Sequence, residues 1–180
     1  MTQFKAIDPW VEVKGAAVIS VIEGMGLFRK AALRILAKHG ISDPRENRWY
    51  RQQDWLDAFK EISEQIGSAT LEAIGKKIPE TAAWPSDIKT IEDALASIDV
   101  AYHMNHRGGE IGHYRFEKGD GTSARIVCDN PYPCAFDLGI IKTTASKFVS
   151  GKVVPNVKHA DPQHCRTKGA KSCTYVITWI

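Results

Sequence analysis

The residues best suited to chemistry in this chain are its four cysteines, which all lie in the last third: Cys128, Cys134, Cys165 and Cys173. Cys165 and Cys173 flank Gly169 symmetrically, and a turn at this glycine would close a hairpin that brings the two thiols together. Two adjacent thiolates suit a soft or borderline cation such as zinc, which takes four N, S or O ligands in a tetrahedron. The pattern predicts a metal site or, alternatively, small buried apolar side chains, because free cysteine is often buried.

A metal site of this kind needs further ligands near the hairpin. Cys134 opens a predicted helix, and His159, Asp161 and His164 stand just before the hairpin. Any of these side chains could complete the set, because imidazole and carboxylate both ligate zinc. No Cys-x-x-Cys motif occurs, so the spacing is not that of a zinc ribbon. We interpret Cys128 as a core residue at the end of a strand or, alternatively, as a redox partner of Cys134 across a turn with two prolines.

The hydrophobic pattern predicts a helical first half. Apolar residues recur at spacings of three and four over residues 14–39 and 54–78, and again over 86–98 behind a cap at Ser86 or Asp87. Four glycines mark breaks or close-packing sites in these helices: Gly24, Gly26, Gly67 and Gly75.

The apolar period changes to two after Asp99, which predicts strands. The predicted elements are strands over 100–106, 111–117, 122–128 and 172–180, a helix over 136–149, an extended segment over 152–158 and a hairpin tip over 167–171. Helices followed by an antiparallel sheet with one inserted helix define an α+β fold. We expect a single domain over residues 1–180, with a mainly helical half at 1–98 and a sheet half carrying the cysteines at 99–180.

Composition places the chain among soluble globular proteins and argues against several partners. The 180 residues are 43% hydrophobic and 25% charged, with a formal net charge of +3. The basic residues are spread out, which argues against nucleic-acid binding. No apolar run approaches the roughly 20 residues of a membrane span. The N-terminus lacks an apolar signal segment, so we expect a cytoplasmic protein with reduced thiols.

The cysteine motifs resemble those of a known family. Cys134-x4-Gly139, followed by Cys165-x3-Gly169-x3-Cys173, resembles the 4-vinyl reductase domain family, which includes the sensor domains of phenol- and xylene-responsive transcription activators. That family is similar in fold to the ligand-binding domains of nitric-oxide signalling and of Golgi-transport (TRAPP-type) proteins. The resemblance covers the sheet half by motif and the helical half only by pattern.

The resemblance also implies a set of metal ligands. In the aromatic sensors of the family, cysteines at these three places and one glutamate bind a structural zinc. The glutamate position is Pro162 here, which cannot ligate, so the fourth ligand must come from His159, Asp161 or His164. The predicted metal ligands are Cys134, Cys165, Cys173 and His159.

Three histidines form a second group of titratable residues: His103, His106 and His113. They are either acid–base groups, since histidine titrates near neutrality, or ordinary half-exposed sheet residues. His103 and His106 differ in parity, which on a strand would place them on opposite faces. One of the three could hold a haem, as in the gas-sensing relatives. The Tyr-x-Ser-x-Arg signature that holds the haem propionates there is absent, which argues against a haem.

Three kinds of function are compatible with these features. The first is a sensory module that binds a small apolar or aromatic molecule, with a structural metal and, as the resemblance implies, a homodimer. The second is a reductase or an accessory protein in tetrapyrrole or bacteriochlorophyll synthesis, disfavoured because no nucleotide-binding fingerprint is present. The third is a scaffold whose cavity is filled. No catalytic residues are assigned, and the ligand-binding residues are unknown at this stage.

Overall fold

The computed structural model describes residues 3–147 and 155–180, and these form an α+β fold as predicted. The helices are α1 (Gly15–Gly24), α2 (Arg29–Lys38), α3 (Gln52–Gln65), α4 (Ser68–Thr81), α5 (Ile91–Met104) and α6 (Cys134–Lys147). The strands are β1 (Glu12–Lys14), β2 (Trp49–Arg51), β3 (His106–Arg107), β4 (His113–Lys118), β5 (Ser123–Asp129), β6 (Asn156–His159) and β7 (Cys173–Thr178). No described helix is long and apolar enough to span a bilayer.

The main sheet is antiparallel, with strand order β4-β5-β7-β6. Its register places Cys128 on β5 opposite Cys173 on β7, and His159 on β6 opposite Tyr175 on β7. The last two strands pair as a hairpin, but the predicted tip over 167–171 with Cys165 on a strand is wrong. Its loop is longer, carries Cys165, and contains a 3-10 helix at Arg166–Lys168. A smaller sheet, ordered β2-β1-β3, ties the helical half to the segment after α5.

Helix α6 packs closely against α4 because two glycines face each other's backbone. A Cβ on Gly75 would lie 2.1 Å from the carbonyl oxygen of Phe136, and one on Gly139 would lie 2.2 Å from that of Glu72. Both distances are far below any real Cβ contact, so only glycine allows this approach. The predicted close-packing role of Gly75 is confirmed, and the contact fixes the start of α6 beside the hairpin.

The strand predicted over residues 100–106 is wrong, because this segment lies mostly in α5. The helix begins with a capping box, in which Thr90 and Asp93 bond each other's backbone N–H groups. Ala101 and Tyr102 continue a buried helical face, which outweighs a short alternation of apolar residues. The cap is Thr90 rather than Ser86 or Asp87, and the boundary at 98/99 between the helical and sheet halves is wrong because α5 runs through it.

The other predicted elements agree with the structure to within a few residues. The helix predicted over 136–149 begins two residues earlier, at Cys134, and is described as far as Lys147. Residues 148–149 of that prediction, and the first part of the segment predicted over 152–158, lie outside the described residues. The final strand predicted over 172–180 is β7.

Candidate metal centre and ligand pocket

The structure brings Cys134, His159, Cys165 and Cys173 into one cluster. Cys134 is the first residue of α6, Cys173 the first of β7 and His159 the last of β6, while Cys165 lies in the loop between those strands. One ligand atom from each residue lies within 4.8 Å of the other three. The four nominated side chains therefore meet in space. That they bind a metal remains a prediction.

The sulfurs of Cys134 and Cys173 are 3.1 Å apart, in hydrogen-bond contact rather than a disulfide. Cys134 Sγ also accepts bonds from Gln3 Nε2 at 2.8 Å and Thr167 Oγ1 at 3.3 Å. The hydrogen bond from Cys173 lowers the pKa of Cys134, and the same shared proton raises the pKa of Cys173. The start of α6 favours the same charge, because a helix N-terminus stabilises a thiolate. Of the two cysteines, Cys134 is therefore the one that ionises first.

His159 supplies independent support for the cluster. Its Nε2 atom is buried and has no hydrogen-bond partner among the described residues. The ring packs on that of Tyr175, with centroids 4.4 Å apart. A buried imidazole nitrogen next to three thiols has the residue types of a metal-ligand set. Its rivals Asp161 and His164 are exposed and are not members of the cluster.

A buried ion pair braces the loop that carries Cys165. The Arg166 guanidinium contacts Asp137 on α6 and donates to Asn130 Oδ1 at 2.7 Å, while the side chains of Arg166 and Asp137 have no exposed surface. Tyr114 donates to Asp137 Oδ1 at 2.6 Å. Burial raises the pKa of Asp137 to about 6 against the opposing effect of Arg166. The backbone N–H of Arg166 donates to Cys173 Sγ at 3.2 Å, so the ion pair and the thiols are one connected unit.

A pocket lined by aromatic rings lies between the helices and the sheet. Trp55 and Phe59 of α3 pack against Tyr132 and Phe136 with ring centroids 4.9 to 6.1 Å apart. These separations are those of favourable tilted and edge-to-face pairs. The remaining space is a cavity of about 30 Å³, and its exposed lining is almost entirely apolar. The rings therefore fill most of the interior in this conformation.

One chain of hydrogen bonds crosses the wall of this pocket. Gln52 Nε2 donates to the Tyr132 hydroxyl at 3.1 Å, and that hydroxyl lies 2.6 Å from His106 Nε2. His106 Nδ1 lies 2.7 Å from the carbonyl oxygen of Tyr102, which can only accept, so Nδ1 carries the proton. Nε2 then accepts from Tyr132. Burial lowers the pKa of His106 from 6.5 to about 4, which keeps the ring neutral.

Two buried polar atoms near this pocket lack partners among the described residues. The indole Nε1 of Trp55, a pocket-lining residue, is buried and donates to nothing. The Oε1 atom of the fully buried Gln52, which bonds the lining residue Tyr132 through Nε2, accepts from nothing. Unpaired buried groups cost free energy unless a ligand or a water satisfies them. Of the two atoms, only that of Trp55 belongs to a residue that lines the pocket.

The fold is similar to that of H-NOX domains. An H-NOX protein from S. oneidensis in the Fe(II)NO ligation state superposes with a TM-score of 0.67 at 12% identity, covering 93% of this chain and 99% of that one. An Fe(II) unliganded H-NOX protein from K. algicida gives 0.60 at 14% identity, with coverage of 93% and 96%. An oxygen-binding H-NOX domain related to soluble guanylate cyclases gives 0.64 at 13% identity, with coverage of 92% and 94%. At these identities the likeness shows the fold alone.

No protein-family model matches the chain, and no curated protein matches it significantly. The expected similarity to the ligand-binding fold of nitric-oxide signalling is confirmed by the H-NOX structures. The 4-vinyl reductase family and the Golgi-transport relatives are not shown. The expectation against haem is wrong, because H-NOX domains are a haem-binding class and the fold is present without the Tyr-x-Ser-x-Arg signature. The comparisons give no support to zinc.

Sequence reasoning missed Tyr132 as a pocket residue and Gln52 as its hydrogen-bond partner. Gln52 offered a signal, because it lies on the same helical face as Trp55, Phe59 and Ile62, where a polar side chain is out of place. Tyr132 offered none, since it lies in a loop between two prolines. Among the histidines, the structure places only His106 at the pocket within the described residues, while His103 and His113 lie exposed elsewhere.

Proposed function

We propose that this chain is a ligand-binding sensor module whose ligand occupies the aromatic pocket beside His106. The observation that carries the proposal is the neutral, hydrogen-bonded His106 in a mostly apolar wall. Ligand sites are mostly apolar with a few placed polar groups. The likeness to H-NOX structures with Fe(II), NO or oxygen supports a sensory role.

Haem is the first ligand class to consider for this pocket. In the described conformation the pocket does not fit a haem, since its cavity is about 30 Å³ and the Tyr132 hydroxyl occupies His106 Nε2. Haem binding would require Tyr132 to leave His106 and the rings of Trp55 and Phe136 to separate. His106 is the only imidazole that lines the pocket in the described part of the chain.

A small apolar or aromatic molecule with one polar atom is the second ligand class. The unpaired indole N–H of the lining residue Trp55 would donate to an acceptor on such a ligand. A phenol carries such an acceptor oxygen on an aromatic ring. Its small size demands less separation of the packed rings than a macrocycle does.

Titration of the purified protein with hemin, protoporphyrin IX and a panel of phenols separates these classes. A Soret band that His106→Gln abolishes and His164→Gln retains would identify haem binding. A phenol-dependent rise in melting temperature that Trp55→Phe reduces would identify the smaller class, because only binding to the native state stabilises it. Failure of every compound to bind would overturn the proposal.

We further propose that Cys134, Cys165, Cys173 and His159 hold a structural metal ion. A closed set of three thiols and one imidazole leaves no open position for substrate, which is the pattern of structural sites. Two thiolates on one tetrahedral ion at about 2.3 Å lie about 3.8 Å apart. The sulfurs of Cys134 and Cys173, at 3.1 Å, would therefore separate by less than about 1 Å.

The backbone N–H of Arg166 and the Thr167 hydroxyl support the metal proposal, because such bonds to sulfur orient thiolate ligands. Metal analysis of protein purified without chelators should find stoichiometric metal in the wild type and in Cys128→Ser. Cys165→Ser should lose it, and chelation should lower the melting temperature of the wild type only if the ion is structural. Metal-free wild-type protein would refute the site.

The sensor proposal includes a homodimer as the route of output. Leu27 and Phe28 form an exposed apolar pair between α1 and α2, with Leu27 entirely in solvent. Light scattering tests this part separately. A wild-type protein that is monomeric, with a mass unchanged by Leu27→Asp, would remove the dimer from the proposal without affecting the pocket.

A further inference from the structure

A second group of metal-ligating side chains lies on the surface, apart from the thiol cluster. Asp99 and His103 are four residues apart on α5, and His113 opens the neighbouring strand β4. One ligand atom from each lies within 4.8 Å of the other two. The three side chains are between 33% and 46% exposed, so an ion from solvent can reach them.

The carboxylate of Asp99 is held in place between the two rings. Its Oδ1 accepts the backbone N–H of Tyr114 at 2.7 Å. Its Oδ2 lies 3.6 Å from His103 Nδ1 and 3.5 Å from His113 Nδ1. A ligating carboxylate is usually oriented by such a second hydrogen bond. The side chain is therefore fixed before any ion arrives.

The imidazole of His103 is anchored to the backbone of its own helix. Its Nδ1 lies 2.8 Å from the carbonyl oxygen of Asp99, which can only accept, so Nδ1 is the protonated nitrogen. Nε2 therefore keeps its lone pair and is the nitrogen of His103 that would ligate an ion, whereas the 3.6 Å contact with Asp99 Oδ2 is made by Nδ1. The ring of His113 faces that of His103, with centroids 5.1 Å apart and planes tilted by 33°. Donation of one ring N–H to a carbonyl is the usual arrangement of a metal-bound histidine.

We propose that Asp99, His103 and His113 bind a divalent transition-metal ion at the surface. Two imidazoles and one carboxylate suit ions such as Ni²⁺, Co²⁺ and Cu²⁺ better than Mg²⁺ or Ca²⁺, which prefer oxygen ligands alone. Three protein ligands leave coordination positions open to water or to a donor group on a partner. The site is thus open where the thiol cluster is closed, and it does not rest on the proposed sensor function.

Co²⁺ titration of the full chain tests this site by absorbance and calorimetry. Co²⁺ bound to thiolates shows a sulfur-to-metal charge-transfer band, whereas Co²⁺ at an Asp/His site shows none. We expect some Co²⁺ to bind without producing that band. We expect His103→Ala, His113→Ala and Asp99→Asn each to lower the affinity of this binding by about tenfold or more. Asp99→Asn keeps an acceptor for the Tyr114 N–H. The matched control is His164→Ala, an exposed histidine outside the cluster.

A second measurement on the wild type removes any dependence on how the variants fold. Paramagnetic Co²⁺ should broaden the ring proton signals of His103 and His113 at concentrations that leave the signal of His39 sharp. Broadening of His39 at the same Co²⁺ concentration would overturn the site. Equal Co²⁺ affinity in the variants and in His164→Ala would overturn it as well.

Discussion

The buried imidazole of His106 at the pocket should make its own contribution to the pH dependence of stability. Burial lowers the pKa of His106 from 6.5 to about 4 in the folded state. Between these values the unfolded chain binds a proton at His106 that the folded chain does not, so this residue lowers the free energy of unfolding as the pH falls, opposite in sign to Asp137, whose pKa burial raises to about 6. The stabilisation is fully present above about pH 6.5 and is lost as the pH falls towards about 4.

The size of this effect follows from the interval between the two pKa values. One pKa unit corresponds to about 1.4 kcal/mol, so His106 alone removes about 3 kcal/mol by the time the pH is below about 4. Near pH 5 the loss is about 2 kcal/mol. Both figures are large beside the total stability of a domain, which is about 5–15 kcal/mol.

Urea unfolding of the wild type and of His106→Gln at a series of pH values measures the difference. The glutamine can still accept from Tyr132 but has no proton to gain, so the variant should show a flatter profile over this range. The quantity compared is the change in the free energy of unfolding with pH, not its absolute value. His164→Gln is the control, because that ring is exposed and should leave the profile unchanged. Equal pH profiles for the wild type and His106→Gln would refute the reasoning.

Three substitutions test the framework around the site by urea unfolding. Gly75→Ala places a Cβ 2.1 Å from the Phe136 carbonyl oxygen, and should cost about 1–3 kcal/mol or more by forcing α4 and α6 apart. Arg166→Met leaves Asp137 as an uncompensated buried charge and should cost about 3–5 kcal/mol, which adding Asp137→Asn should partly restore. Thr90→Ala removes the capping box of α5 and should cost about 1 kcal/mol.

Each of these has a matched control. Lys76→Ala changes the exposed neighbour of Gly75, and Lys168→Met removes an exposed cation from the loop of Arg166. Thr90→Ser keeps the capping oxygen. Controls that are as destabilised as their partners would show that the named contacts are not the cause. For the ion pair, an additive double variant would contradict the coupling, since residues in one network should not add.

The fold class could be predicted because most elements carry strong periodic signals. Helices α1 to α4 follow apolar stripes broken at glycines, and Gly67 at the α3–α4 junction has a positive φ of 114°. The segment after Asp99 could not be predicted in the same way. Its few alternating residues also fit a helical face, and long-range packing of α5 on β4 decides between the two. Short apolar runs are ambiguous for this reason.

The cysteine cluster could be nominated from sequence because its members lie near one hairpin. Cys165 lies in the loop that Cys173 ends, and the antiparallel pairing of β6 with β7 brings His159 beside them. The pocket has no comparable signal. His106, Tyr132 and Gln52 come from three separated segments and meet only through the tertiary fold. Residue types that are common in any core do not indicate a binding site in the sequence.

The buried ion pair shows most clearly what a one-dimensional pattern leaves out. Asp137 lies on the buried face of α6 with Cys134 and Ile141, where a charge would be costly without a partner. Its partner Arg166 lies in the loop between β6 and β7 that carries Cys165, called here the thiol loop, and also bonds Asn130. The charge is therefore compensated by residues distant in sequence. Because Asp137 also accepts from Tyr114, a lining residue of the pocket, this pair physically joins the pocket wall to the thiol loop.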